Sequence, residues 1–104
     1  MINKHRGEIA AELDGRTFTL CLTLGALAEL EAAFEVDDLS ALVDRFSSAS
    51  LSARDMLKVI GAGLRGGGHP LTDDEIVEMQ AEGGALGYAR IVSQLLQATF
   101  GQAE

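Results

Sequence analysis

The pair Asp14-Gly15 constrains this chain more than any other two residues. Asp-Gly is a strong signal for a two-residue hairpin turn, because both central positions of such a turn need a left-handed backbone. The residues on either side agree with it. Ile9, Ala11 and Leu13 alternate with Glu8, Ala10 and Glu12 on one side; Phe18, Leu20 and Leu22 alternate with Thr17, Thr19 and Cys21 on the other. A two-residue loop then pairs Leu13 with Arg16, Ala11 with Phe18 and Ile9 with Leu20. One register therefore gathers the apolar residues on one face and the polar ones on the other. A lone hairpin is marginal in water, so the apolar face needs something to pack on.

The rest of the chain supplies helices. Leu24, Leu27, Leu30 and Phe34 recur at spacings of three and four. After a break at Val36-Asp37, Asp37 or Asp38 can cap a second helix carrying Leu39, Leu42, Val43 and Phe46, which ends at the run Ser47-Ser48-Ala49-Ser50. Ser52, with Asp55 three residues on, is a variant capping box for a third helix that carries Met56, Leu57, Val59, Ile60 and Leu64. Gly61 and Gly63 fall on its periodic face, which points to close helix contact or early fraying, and Gly66-Gly67-Gly68 stops it. Thr72-Asp73-Asp74-Glu75 is a full capping box and predicts a helix over about 72–82, with Ile76, Val77 and Met79. Gly83-Gly84 breaks the chain again. A last helix over about 85–99 carries Tyr88, Ala89, Val92, Leu95, Leu96 and Thr99 on or beside its buried face, and Gly101 ends it. The fold class expected is α+β, mostly helical: an N-terminal antiparallel β-hairpin packed against four to five α-helices. The 104 residues suit one domain, 1–104, with an arm at 1–7, the hairpin at 8–22 and the helical part at 24–100.

Charge narrows the possible partners. Sixteen acids against eight Lys plus Arg give a net charge of −8, which repels phosphate backbones and anionic lipid heads. The one basic cluster, Lys4-His5-Arg6, is too short for a nucleic-acid arm and reads as a solvated terminus. A helix-turn-helix reading of 52–65 and 72–82 fails on the acidity of the second helix (Asp73, Asp74, Glu75, Glu78, Glu82) and on a connection longer than the usual three or four residues. The single cysteine, Cys21, excludes an intramolecular disulfide and suits a reducing cytoplasm. No apolar run approaches the length of a membrane span, so a soluble cytoplasmic protein is expected.

The sequence offers little chemistry. His5 and His69 lack a Cys or second His at metal-ligand spacing, so no metal or cofactor is expected. Cys21 falls on the polar face of its strand, where a half-exposed structural thiol is expected rather than a nucleophile. Asp37-Asp38 and Asp73-Asp74-Glu75 stand at helix starts, where capping and the helix dipole account for them. The stretch from Gly61 to His69 is the most unusual one. It ends a helix without the Gly-Lys-Ser/Thr of a phosphate loop. It reads either as a helix terminus with a flexible connection or as a hinge or partner-contact loop. As candidate partner-binding residues Leu64, Arg65, Gly66, Gly67, Gly68 and His69 stand first, because Arg65 is expected to be exposed and the glycines give the backbone freedom. The leading helix, with Glu29 and Glu31, is the alternative. No catalytic residue is assigned.

Four pieces in order carry a family resemblance. They are His5-Arg6-Gly7-Glu8; the run from Cys21 through Leu24-Gly25-Ala26-Leu27 to Glu31; Leu51-Ser52-Ala53-Arg54-Asp55; and the run from Gly61 to His69. Together, over about residues 4–100, the chain closely resembles the gene transfer agent family of small phage-tail proteins. Gene transfer agents are defective phage-like particles that carry host DNA. The resemblance implies no catalytic residue. It implies protein partners, the tape-measure protein and the tail tube or its subunits, and one of two roles: tail assembly chaperone or tail tube component. One hairpin among helices suits the chaperone better than a tube wall, which needs a large sheet. The expected location is the cytoplasm, with the assembled particle as the place for a tube component.

Overall fold

The computed structural model describes residues 2–3, 6–48 and 51–101. Lys4, His5, Ala49 and Ser50, which figured in the expected basic terminus and the expected end of the second helix, lie outside them. The order is β1 (Glu8–Leu13), β2 (Arg16–Cys21), α1 (Leu24–Phe34), α2 (Leu39–Ser48), α3 (Ala53–Gly66), α4 (Asp73–Ile76) and α5 (Gly84–Phe100). This is the expected α+β arrangement, a hairpin followed by helices.

The hairpin has the register its turn dictates. Leu13 pairs with Arg16, Ala11 with Phe18 and Ile9 with Leu20. Asp14 and Gly15 both take positive φ, 55° and 73°, which gives the twist that lets two right-handed strands close without splaying. Ile9, Ala11, Leu13, Phe18 and Leu20 are buried. Helix α3 packs on β2 and α1, while α5 packs on β1 and α3. The core therefore lies between one face of the sheet and the helices. Leu20, Leu42, Leu64 and Leu95 are wholly enclosed in it, each contributing about 1.5–3 kcal/mol of burial.

Local signals set most helix ends. Thr23 caps α1, accepting from Ala26 N–H, and Glu35 ends it in the left-handed region at φ 57°. Asp38 supplies the cap of α2 through its Oδ1, 2.9 Å from Ala41 N. Ser52 and Asp55 form a reciprocal capping box on α3, and Thr72 and Glu75 do the same on α4. Phe34 and Phe46 meet edge to face at 5.3 Å and join α1 to α2, with the Arg45 guanidinium 5.1 Å from the Phe34 ring centroid.

Three expectations need correction. The helix expected over 72–82 is one turn, α4, followed by chain that leaves the helix. Gln80 N–H donates to Asp14 Oδ1 (2.9 Å), and Asp14 N–H donates to Gln80 O (2.8 Å). Ala81 then bridges Leu13. Burial alternates over Met79, Gln80 and Ala81, in, out, in, so the hairpin turn wins the segment from local helix propensity. Cys21 is buried rather than half-exposed, because the turn before β1 folds over it and its Sγ donates to Arg6 O at 3.4 Å. In that same turn Asn3 O accepts from Arg6 N and Glu8 N, and Arg6 is exposed, as the reading of a solvated terminus expects. Leu24, expected on the buried stripe, is 79% exposed at the first position of α1, before the helix has completed a turn against the core. Leu39 and Ala89, expected on or beside buried faces, are also exposed.

Candidate functional site

The glycine-rich end of α3 is a close-packed seam against β2. A Cβ on Gly66 would overlap the carbonyl oxygen of Cys21, and one on Gly67 would overlap that of Thr19. A Cβ on Gly63 would crowd Leu20 and Leu95. Gly66 and Gly67 are glycine because two backbones touch there, and Gly63 because two leucine side chains close over it, which favours close contact over fraying. Gly68 is different: it lies in open space at φ +99°. It is the left-handed residue of a Schellman ending, in which His69 N–H reaches Leu64 O (2.9 Å) and Gly68 N–H reaches Arg65 O (3.1 Å).

That ending aims His69 back at the hairpin. Its Nε2 accepts from Thr19 N–H at 3.2 Å. The imidazole meets the Phe18 ring edge to face, centroids 5.0 Å apart. In the β1–β2 register Thr19 directs its N–H away from β1, so His69 occupies the outer edge of the sheet.

Arg65 is half-buried and paired, not a free cation. Its guanidinium bonds the Glu29 carboxylate of α1, donates to Leu71 O at 2.8 Å and stands 3.2 Å from Asp73 Oδ1. The hydrogen bond to Glu29, more than any other influence, raises the Arg65 pKa further above its ordinary value. Asp73 also pairs with Lys58 at 3.3 Å. One side chain thus ties α1, α3 and the loop before α4 together.

Of the six candidate residues, then, Leu64 is wholly buried and points into the core. Arg65 and His69 are engaged with α1 and β2, Gly66 and Gly67 lie along β2, and only Gly68 is exposed. In this arrangement Leu64 is no surface contact and Arg65 is no exposed charge, for the packing reasons given. Glu29 of the alternative surface is itself the partner of Arg65.

An apolar cleft lies elsewhere. A cleft between the first half of α3, the chain after α4 and the start of α5 is lined by Met56, Leu57, Ile60, Ile76, Val77 and Met79, with Tyr88 beside them. Tyr88 holds one wall in place by donating its hydroxyl to Met79 O. Among the described residues no charged side chain lines it. Sequence reasoning missed this cleft because a regular helix over 72–82 gives a different wall. Among the described residues, no three or more His, Cys, Asp or Glu side chains gather in a way that could hold a metal ion. No helix there is long and apolar enough to cross a membrane.

What the geometry defines is a small α+β protein with a helix end seamed to its hairpin and an apolar cleft beside α4. The family model described as "Phage tail tube protein, GTA-gp10" matches residues 6–102, and the chain belongs to that phage-tail family, as its four sequence pieces led one to expect. No curated protein and no solved structure matches it.

Proposed function

We propose that the chain is a non-enzymatic tail assembly chaperone, one that binds the tape-measure protein or tail tube subunits in the cytoplasm before the tail forms. The observation that carries this reading is the state of the sheet edges. The described residues contain one two-stranded sheet. The outer edge of β2 meets His69 and the Gly66-Gly67 seam. The outer edge of β1 is held at one end by Asn3 O on Glu8 N–H and at the other by Gln80 O on Asp14 N–H. A wall in which strands of neighbouring subunits pair needs long open edges, and this fold keeps them short.

The family's description favours a second reading, a tube component kept in the mature particle. Mass spectrometry of purified particles separates the two. A chaperone is absent or far below the count of tail subunits, whereas a tube component is recovered in stoichiometric amount. Co-expression with the tape-measure protein and with tube subunits, followed by pull-down, supplies the positive test. Capture of neither sinks the chaperone reading.

A further inference from the structure

The apolar cleft beside α4 has a charge pattern that selects its occupant. The wall formed by Ile76, Val77 and Met79 belongs to a stretch, residues 67–89, with five acids and no Lys or Arg. Asp73 is paired with Lys58 and Arg65, but Asp74, Glu75, Glu78 and Glu82 have no cationic partner among the described residues. Arg54, next in sequence to the cleft-lining Ala53, is exposed and forms no ion pair among the described residues. Val77 is 59% exposed at the cleft, and Leu86, two residues before Tyr88, is 74% exposed.

We infer that this cleft is a docking site for an amphipathic helix of another protein, apolar on one face and rich in Lys and Arg beside it. The inference rests on the protein-binding reading above and names the surface for it. A second copy of the chain is the wrong occupant. A two-fold pairing through the cleft would set the acidic wall of one copy against that of the other, in a protein of net charge −8. Nucleic acid and anionic lipid are repelled by the same carboxylates. An extended peptide finds few main-chain groups to pair with. The α3 backbone is bonded within its helix, Met79 O is taken by Tyr88, and both backbone polar groups of Gln80 are taken by Asp14. Recognition then falls to side chains entering an apolar slot, which is how a helix docks in a groove. Met56 and Met79 let the slot adjust to different apolar anchors.

Two designed helical peptides test this, with the same Leu face and either Lys or Glu on the flanks, titrated against the full chain by fluorescence anisotropy. The Lys peptide binds, more weakly as salt rises, and the Glu peptide does not. Val77→Asp, a change at an exposed position, weakens the Lys peptide about tenfold or more, as loss of an interface anchor does. Leu24→Asp, at a still more exposed position away from the cleft, leaves binding unchanged. Equal binding of the two peptides, an unaffected Val77→Asp protein, or a dimer seen by sedimentation that Val77→Asp dissolves would each overturn the inference. The pull-down keeps the two readings apart. If wild type and Val77→Asp capture tail proteins equally, the cleft falls and the chaperone stands. If wild type captures none, the chaperone falls and the peptide titration still judges the cleft.

Discussion

His69 Nε2 accepts a hydrogen bond from Thr19 N–H across fifty residues of sequence, at 3.2 Å. An imidazole that accepts through Nε2 carries its proton on Nδ1, so the tautomer is set by the strand it closes. The bond joins the end of α3 to the outer edge of β2 and gives His69 a place in the fold.

His69→Ala leaves Thr19 N–H facing the space the ring filled and removes the edge contact with Phe18. The expected cost is about 1 kcal/mol for the hydrogen bond and somewhat more with the ring contact. Urea unfolding of both proteins measures it. Hydrogen exchange at Thr19 should quicken well beyond the change at Leu20, whose N–H faces β1.

The glycines after Leu64 separate into two kinds, and alanine tells them apart. Gly67→Ala drives a Cβ into the Thr19 carbonyl, where backbone must move. The expected loss is about 3 kcal/mol or more. Gly68→Ala meets no neighbour and costs only the left-handed backbone, about 1 kcal/mol. Thermal melts of the two single variants should fall in that order. Equal losses would mean that conformational freedom, not the approach of β2, accounts for both glycines.

These residues show which parts of the fold can be read from sequence. The hairpin register is legible because turn chemistry and alternation are local and agree at Asp14-Gly15. The capping boxes at Ser52 and Thr72 are legible for the same reason. The path after Ile76 is not, because Asp14, 66 residues from Gln80, decides it. The glycine run announces small residues at a helix end, yet the reason for Gly66 and Gly67 is a strand more than forty positions earlier. Cys21 is assigned to a polar face by alternation, and only the fold of the preceding turn buries it. The burial of Leu64 and the pairing of Arg65 are not legible on the same ground: periodicity shows a helix end, and tertiary packing decides what it touches.

Cys21 should be chemically quiet in the native protein. Burial above all, with the nearby Glu8 carboxylate, pushes its thiol pKa above the ordinary value against a smaller opposing pull from Arg6. The nucleophile is the thiolate, so both access and ionisation slow attack. Iodoacetamide at pH 8 should modify it slowly in buffer and fast in urea. Fast labelling of the native protein would show that the turn over Cys21 opens readily.

Acid should weaken the start of α3. The Asp55 carboxylate accepts from Ser52 N–H at 3.0 Å and pairs with Arg45 at 3.2 Å. The Ser52 backbone bond, ahead of the Arg45 contacts, holds its pKa below the usual carboxylate value. The folded state then binds fewer protons than the unfolded state in the window between the two pKa values. The stabilisation is present above the unfolded value, about 3.9, and is lost as pH falls through the lower folded one. Asp55→Asn keeps an acceptor for Ser52 N–H but removes the titrating charge. The difference in stability between wild type and Asp55→Asn should therefore be largest near neutral pH and shrink toward pH 3. Ser52→Ala removes the other half of the box and should cost about 1 kcal/mol near neutral pH. A wild-type advantage over Asp55→Asn that stays constant from pH 6 to pH 3 would show that the carboxylate's charge contributes nothing to holding α3.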